Sequence, residues 1–207
     1  MSAIDLDAFR ATRLEREPYD HLVVSGFLRP DAMRIIGADY PEISKAGSYP
    51  LSELKFGPAF AALIEEMRTP EMEDAFADKF DIDLAGRPIM VTVRGQCRAK
   101  DGRIHTDTED KLITVLVYFN NDWQNLDGRL RILRSSDNIE DYASEIPPQA
   151  GTLLAFRRSD RSFHGHTSFK GVRRVVQLNW VKDSRVVRRE RTRHRYSAKF
   201  KRFLQFN

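Results

Sequence analysis

Residues 103–120 read RIHTDTEDKLITVLVYFN, and the second half of that stretch decides the architecture. From Lys111 to Phe119 the side chains are mostly β-branched, aliphatic or aromatic, the composition of a strand covered on both faces. His105 and Asp107 stand two residues apart at its entrance. In extended chain, residues i and i+2 share a face, so an imidazole and a carboxylate can reach one cation and leave room for a third ligand.

Outward from this strand, IMVTVRGQC (89–97), RLRIL (129–133), GTLLAF (151–156) and RVVQLNWV (174–181) have a similar composition. Turn signals bound them at Asn120-Asn121, Asp127-Gly128, Pro147-Pro148 and Gly171. Upstream of Pro88 the apolar period is helical: LDAFRATRLER (6–16), FLRPDAMRIIGADY (27–40), and PAFAALIEEMRTPEMEDAFADKF (58–80), which Pro70 divides or kinks. YDHLVVSGF (19–27) reads as a short strand among them. Helices first and strands afterwards, without βαβ alternation, predict an α+β chain: a β-sandwich or barrel, preferably a double-stranded β-helix (jelly roll), flanked by N-terminal helices. One domain is expected over 1–207, with a helical lead-in (1–87), a strand-rich core (88–181) and a basic C-terminal segment (182–207).

The charge is unevenly placed. Residues 182–207 hold ten Lys/Arg against Asp183 and Glu190, whereas residues 1–181 hold 24 basic and 28 acidic side chains. Such a tail suits nucleic acid, an anionic surface or an acidic partner; the blander reading is a solvated segment packed by Tyr196, Phe200, Phe203 and Phe206. A single cysteine, Cys97, cannot form an internal bridge, the N-terminus has no apolar h-region, and no stretch approaches the roughly 20 apolar residues of a membrane span. A cytoplasmic protein without a membrane span is expected.

The third ligand has a candidate in RSFHGHTSFKGVRRVVQLNW (161–180), where His164 precedes the last strand. Two histidines and one carboxylate on one side of a metal leave open positions opposite, the arrangement of non-haem Fe(II) oxygenases. Taken singly, each residue has a plainer reading: HxD arises by chance, His164 is a buried imidazole satisfied by a carbonyl, and Arg174 is a surface side chain. His166 is a competitor for His164, since both can face one side of an extended FHGHT. Arg94, Arg129 and Arg131 fall on otherwise apolar strands, where a guanidinium needs water or an anion, and they point to an anionic substrate.

In order and spacing these residues resemble the prolyl-hydroxylase-like branch of Fe(II)- and 2-oxoglutarate-dependent dioxygenases. The resemblance runs from near Val91 to Val181: His105-Thr106-Asp107, then Val117-Tyr118-Phe119-Asn120, then Gly151 with an apolar strand, then His164 followed ten residues later by Arg174. It implies that His105, Asp107 and His164 bind Fe(II), and that Arg174 pairs with the distal carboxylate of 2-oxoglutarate through a planar, bidentate guanidinium. It further implies that O2 is consumed, that succinate and CO2 are released, and that a prime substrate is hydroxylated. The ten-residue offset selects His164 over His166. Arg173 competes with Arg174, and in a regular strand only one of the two can reach the pocket. Where many relatives carry a Tyr nine residues before the HxD histidine, this chain has Gln96; Gln96 and Thr114 are therefore candidate cosubstrate contacts.

Two other classes remain open: a cupin-like metal-binding jelly roll, which needs no cosubstrate anchor, and a non-enzymatic module that binds nucleic acid or anions through its tail. Specificity for the prime substrate is expected in residues 134–150 and 157–163, which flank the pocket.

Overall fold

The computed structural model describes residues 2–189. It is a mixed α/β architecture with antiparallel sheets. Four helices, α1 (Leu6–Ala11), α2 (Pro30–Ala38), α3 (Pro58–Glu66) and α4 (Pro70–Phe80), precede most of the strands. The strands are β1 (His21–Val24), β2 (Tyr49–Pro50), β3 (Ile89–Cys97), β4 (Lys111–Tyr118), β5 (Leu130–Leu133), β6 (Tyr142–Ile146), β7 (Leu153–Arg157), β8 (His164–Gly165) and β9 (Gly171–Val181). A six-stranded sheet runs β1-β7-β4-β9-β3-β2 and a three-stranded sheet runs β6-β5-β8.

Period-two alternation sorts the side chains of the large sheet into two cores. Val115 and Val117 of β4, Leu153 and Ala155 of β7, and Val176, Leu178 and Trp180 of β9 face the helices, where they meet Phe9, Ile36, Phe60, Leu63 and Phe76. The intervening residues Leu116, Tyr118, Leu154, Phe156 and Val175 face the small sheet and pack on Leu130, Ile132 and Ile146. Asn179 is the register partner of Thr114, and Val175 that of Tyr118. Hence Arg173, Val175, Gln177 and Asn179 belong to the space between the sheets, and Arg174 to the helical side.

Pro70 does separate two helices, with Thr69 capping the second by accepting from the Met72 N–H at 3.4 Å. The first helix is shorter than the 6–16 expected. It ends at Ala11 because Glu15 exchanges two backbone hydrogen bonds with His21, both 2.8 Å, and that tertiary pairing overrides the helical pattern of Arg13–Arg16. Strands β2, β6 and β8 were not foreseen. The first and last are two residues long, and β6 (YASEI) lacks the apolar bias of its neighbours. Tyr196, Phe200, Phe203 and Phe206 lie outside the described residues, as does most of the basic segment.

Phe76 joins the helices to the large sheet: its ring centroid lies 4.5 Å from Phe9 and 4.9 Å from Trp180. Phe76→Ala is expected to destabilise the chain by about 3–5 kcal/mol, the usual range for a large aromatic emptied from a core. Urea unfolding monitored by circular dichroism measures it; a loss under about 1 kcal/mol would mean that the two layers are not joined through this ring.

Candidate functional site

His105 and His164 are tied together by the backbone. They form an antiparallel bridge outside the main ladders, with the N–H of His105 donating to the His164 carbonyl at 3.1 Å and the reverse bond at 3.0 Å. Their rings follow, with centroids 4.4 Å apart. Nδ1 of His105 lies 2.8 Å from the Arg103 carbonyl, and Nδ1 of His164 lies 3.0 Å from that of Ser162. A carbonyl only accepts, so Nδ1 carries the proton in both rings and the lone pair is left on Nε2, the form in which a histidine ligates a metal.

Asp107 completes the group. One ligand atom from each of His105, Asp107 and His164 lies within 4.8 Å of the others. His166 is not in that group; its Nε2 lies 3.9 Å from Cys97 Sγ, and its Nδ1 meets the Thr167 carbonyl at 2.7 Å. Gly102 makes room for it: its φ is +84°, and a Cβ there would overlap the His166 ring.

The carboxylate of Asp107 is 8% exposed and held on both oxygens. Lys111 Nζ donates to Oδ1 at 2.7 Å, and Thr114 Oγ1 donates to Oδ2 through a short bond. Behind Thr114, Asn179 Nδ2 donates to Oγ1 at 2.7 Å, and Gln177 Nε2 donates to Asn179 Oδ1 at 3.2 Å. Burial works to raise the Asp107 pKa, but the Lys111 ammonium and the hydrogen bonds outweigh it and lower the group to about 2. The carboxylate is ionised. Thr114 thus reaches the site, but as a partner of Asp107 rather than a lone cosubstrate contact. Asn179 gave no signal in the sequence, where it reads as one polar residue inside VVQLNWV.

The two arginines of β9 part company. Arg174 is exposed, and its guanidinium lies over the Tyr40 ring, 5.6 Å from the centroid, on the helical side. The sequence expectation placed the carboxylate anchor there, and strand parity turns it away. Arg173, nine residues after His164, is 7% exposed between the sheets. Its Nε donates to the Gly128 carbonyl at 2.9 Å and its guanidinium lies 5.5 Å from the Tyr118 ring centroid. The Tyr118 hydroxyl lies against the Arg173 guanidinium, which can only donate to it, and beyond each other Arg173 Nη2 and the hydroxyl have no hydrogen-bond partner among the described residues, so the phenolic proton lacks an acceptor. Gln96 is also displaced from its expected role. The ladder slips between Arg94 and Gln96, so Gln96 pairs with exposed Val172, and Cys97 is the residue that reaches His166.

Of the three strand arginines, two have acid partners. Arg131 contacts Glu145 at 2.8 Å and Glu140 at 2.6 Å, and Arg129 contacts Glu145 at 3.4 Å. Arg94 forms no ion pair among the described residues; burial pushes its pKa down, with Asp101 acting to raise it and Arg173 to lower it. No helix of the described residues is long and apolar enough to cross a membrane.

His164 is pushed from 6.5 down to about 4, first by burial and also by His105 and Lys111, against Asp107 and the Ser162 carbonyl. His166 is likewise lowered to about 4, by burial and then by Arg173. The folded chain therefore prefers both rings neutral, and their contribution to stability is complete above pH 6.5 and is lost as pH falls from there towards 4. Urea unfolding of metal-free protein at descending pH is expected to show that decline, with a shallower slope in His164→Gln. An unchanged slope would mean that His164 is not held neutral.

Residues 95–182 match the 2OG-Fe(II) oxygenase superfamily. No curated protein matches the chain. Among solved structures, a prolyl-4-hydroxylase from Pseudomonas putida is similar at a TM-score of 0.57 and 16% identity, covering 86% of this chain and 97% of that one. The collagen prolyl hydroxylase vCPH of Paramecium Bursaria Chlorella virus-1 gives 0.54 and 16%, covering 78% and 96%. HygX from Streptomyces hygroscopicus, solved with nickel and 2-oxoglutarate bound, gives 0.51 and 14%, covering 78% and 82%. At these identities the structural likeness is one of fold. The family match covers residues 95–182, the stretch that holds His105, Asp107, His164 and both arginines of β9.

Proposed function

We propose that the chain is an Fe(II)- and 2-oxoglutarate-dependent hydroxylase built on a jelly-roll core. In this reading His105, Asp107 and His164 hold the iron, and Arg173 with Tyr118 takes the distal carboxylate of 2-oxoglutarate. The observation that carries it is the buried pair Arg173 Nη2 and Tyr118 Oη, which have no partner beyond each other and lie between the same two sheets as the His-Asp-His group. A guanidinium and a phenol that lack acceptors inside a protein fit a carboxylate guest. The donor set fits ferrous iron: two imidazoles with Nε2 free and one ionised carboxylate.

Each residue then has a task. The carbonyls of Arg103 and Ser162 hold the imidazoles in the ligating tautomer. Asp107 stays ionised across the working pH range. Arg173 and Tyr118 orient the 2-oxo acid by its far end. Bound here, iron with O2 supplies oxidative decarboxylation of 2-oxoglutarate to succinate and CO2, coupled to hydroxylation of a C–H bond of the prime substrate. Arg94, beside Arg173 and without an acid partner, favours a prime substrate that carries an anionic group. The loops around residues 134–150 and 157–163 would shape that choice, and β6 stiffens the first of them.

Anaerobic titration of the full chain with Fe(II) and 2-oxoglutarate tests this. A weak visible charge-transfer band that needs both components is expected. It should be lost in Asp107→Ala and shifted to at least tenfold higher 2-oxoglutarate in Arg173→Met, in line with loss of a charge-assisted pair of about 1.5–3 kcal/mol. Arg174→Met should titrate like wild type. No band in folded, iron-loaded protein would remove the oxygenase reading; a band sensitive to Arg174 and indifferent to Arg173 would exchange the anchors.

A further inference from the structure

The polar chain behind Asp107 has a direction. Lys111 Nζ donates to Asp107 Oδ1 at 2.7 Å, so the carboxylate faces the chain as an acceptor and the Thr114 hydroxyl spends its single proton on Oδ2. Thr114 Oγ1 then has only lone pairs to offer Asn179, which must present its amide N–H, and the 2.7 Å contact from Nδ2 does so. That orientation turns Asn179 Oδ1 towards Gln177, whose Nε2 donates to it at 3.2 Å. Reversing any member would set two acceptors or two donors face to face in a region where Asn179 is 0% and Thr114 1% exposed. Thr114 and Asn179 are register partners on β4 and β9, so the ladder between those two strands fixes their spacing.

We infer that Thr114 and Asn179 are positioning residues that commit Asp107 Oδ2 to the protein and leave Oδ1 as the only oxygen free to bind metal. The inference rests on the proposed role of Asp107. Its support is independent of the family: Oδ1 is the oxygen that a cation, the Lys111 ammonium, already occupies. Asn179 touches neither Asp107 nor either histidine in this network; it acts by keeping the Thr114 hydroxyl a donor.

Metal affinity measured on the full chain by chelator competition with Mn(II), without cosubstrate or turnover, tests the assignment. Thr114→Val is expected to weaken Mn(II) binding roughly 10- to 100-fold, as loss of an outer-sphere partner commonly does, and Thr114→Ser to restore most of it. Asn179→Leu should weaken binding less than Thr114→Val. The double variant Asn179→Leu/Thr114→Val should bind no worse than Thr114→Val alone, because Asn179 acts only through that hydroxyl. Lys111→Met should move affinity the other way, since it removes the competing cation. Additive losses in the double variant, or no rescue by serine, would overturn the relay and reduce both residues to packing. Failure of wild-type protein to bind Mn(II) at all would overturn the metal-site reading itself, and this inference with it.

Discussion

The register between β4 and β9 governs what this molecule can do. Those strands lie at the centre of the large sheet, and their alternation decides which side chains enter the space between the sheets. A slip of β9 by one residue would exchange Arg173 for Arg174 and Asn179 for Trp180, moving the polar groups that this strand gives the interior to the helical side. The register is held by the two apolar cores at once, because Val176, Leu178 and Trp180 suit only the helices while Val175 suits only the small sheet. Packing far from the polar groups therefore fixes where they are.

The same alternation explains what could be read in advance. His105, Asp107 and His164 are legible because each stands at a strand entrance, where a two-residue spacing or a flanking turn states which way the side chain points. The main strands are legible for the same reason, since their β-branched and aromatic runs are long. The proposed anchor arginine is not. Counting ten residues from His164 picks Arg174, but the side chains alternate, and the parity that matters is that of Val175 and Asn179 on the same strand. Asn179 was invisible because an asparagine in an apolar run announces nothing until its neighbour across the ladder is known. Gln96 was misplaced by a slip in β3 that no local residue pattern signals. The end of α1 was likewise decided by a partner, His21, rather than by helix propensity.

Several arginines of the strand-rich half have an acid partner. Arg129 and Arg131 are neutralised by Glu145 and Glu140, so they brace β5 against β6 and the neighbouring loop. Arg98 is matched by Asp101 at 3.0 Å. Arg94 and Arg173 are left without carboxylate partners among the described residues, near each other and near a neutral histidine. Two guanidiniums in that setting repel, and an anionic guest would relieve them both.

The contact between Lys111 and Asp107 changes the meaning of metal uptake. An ionised carboxylate alone in a buried pocket would be an uncompensated charge, whereas here an ammonium at 2.7 Å cancels it and helps to lower its pKa. With Asp107 as the proposed iron ligand, loading is an exchange of one cation for another. The affinity reflects the difference between two ion pairs, not the full pull of a naked carboxylate. An empty chain can accordingly persist without strain in its interior, and each arriving ion must first persuade a tethered resident to swing away.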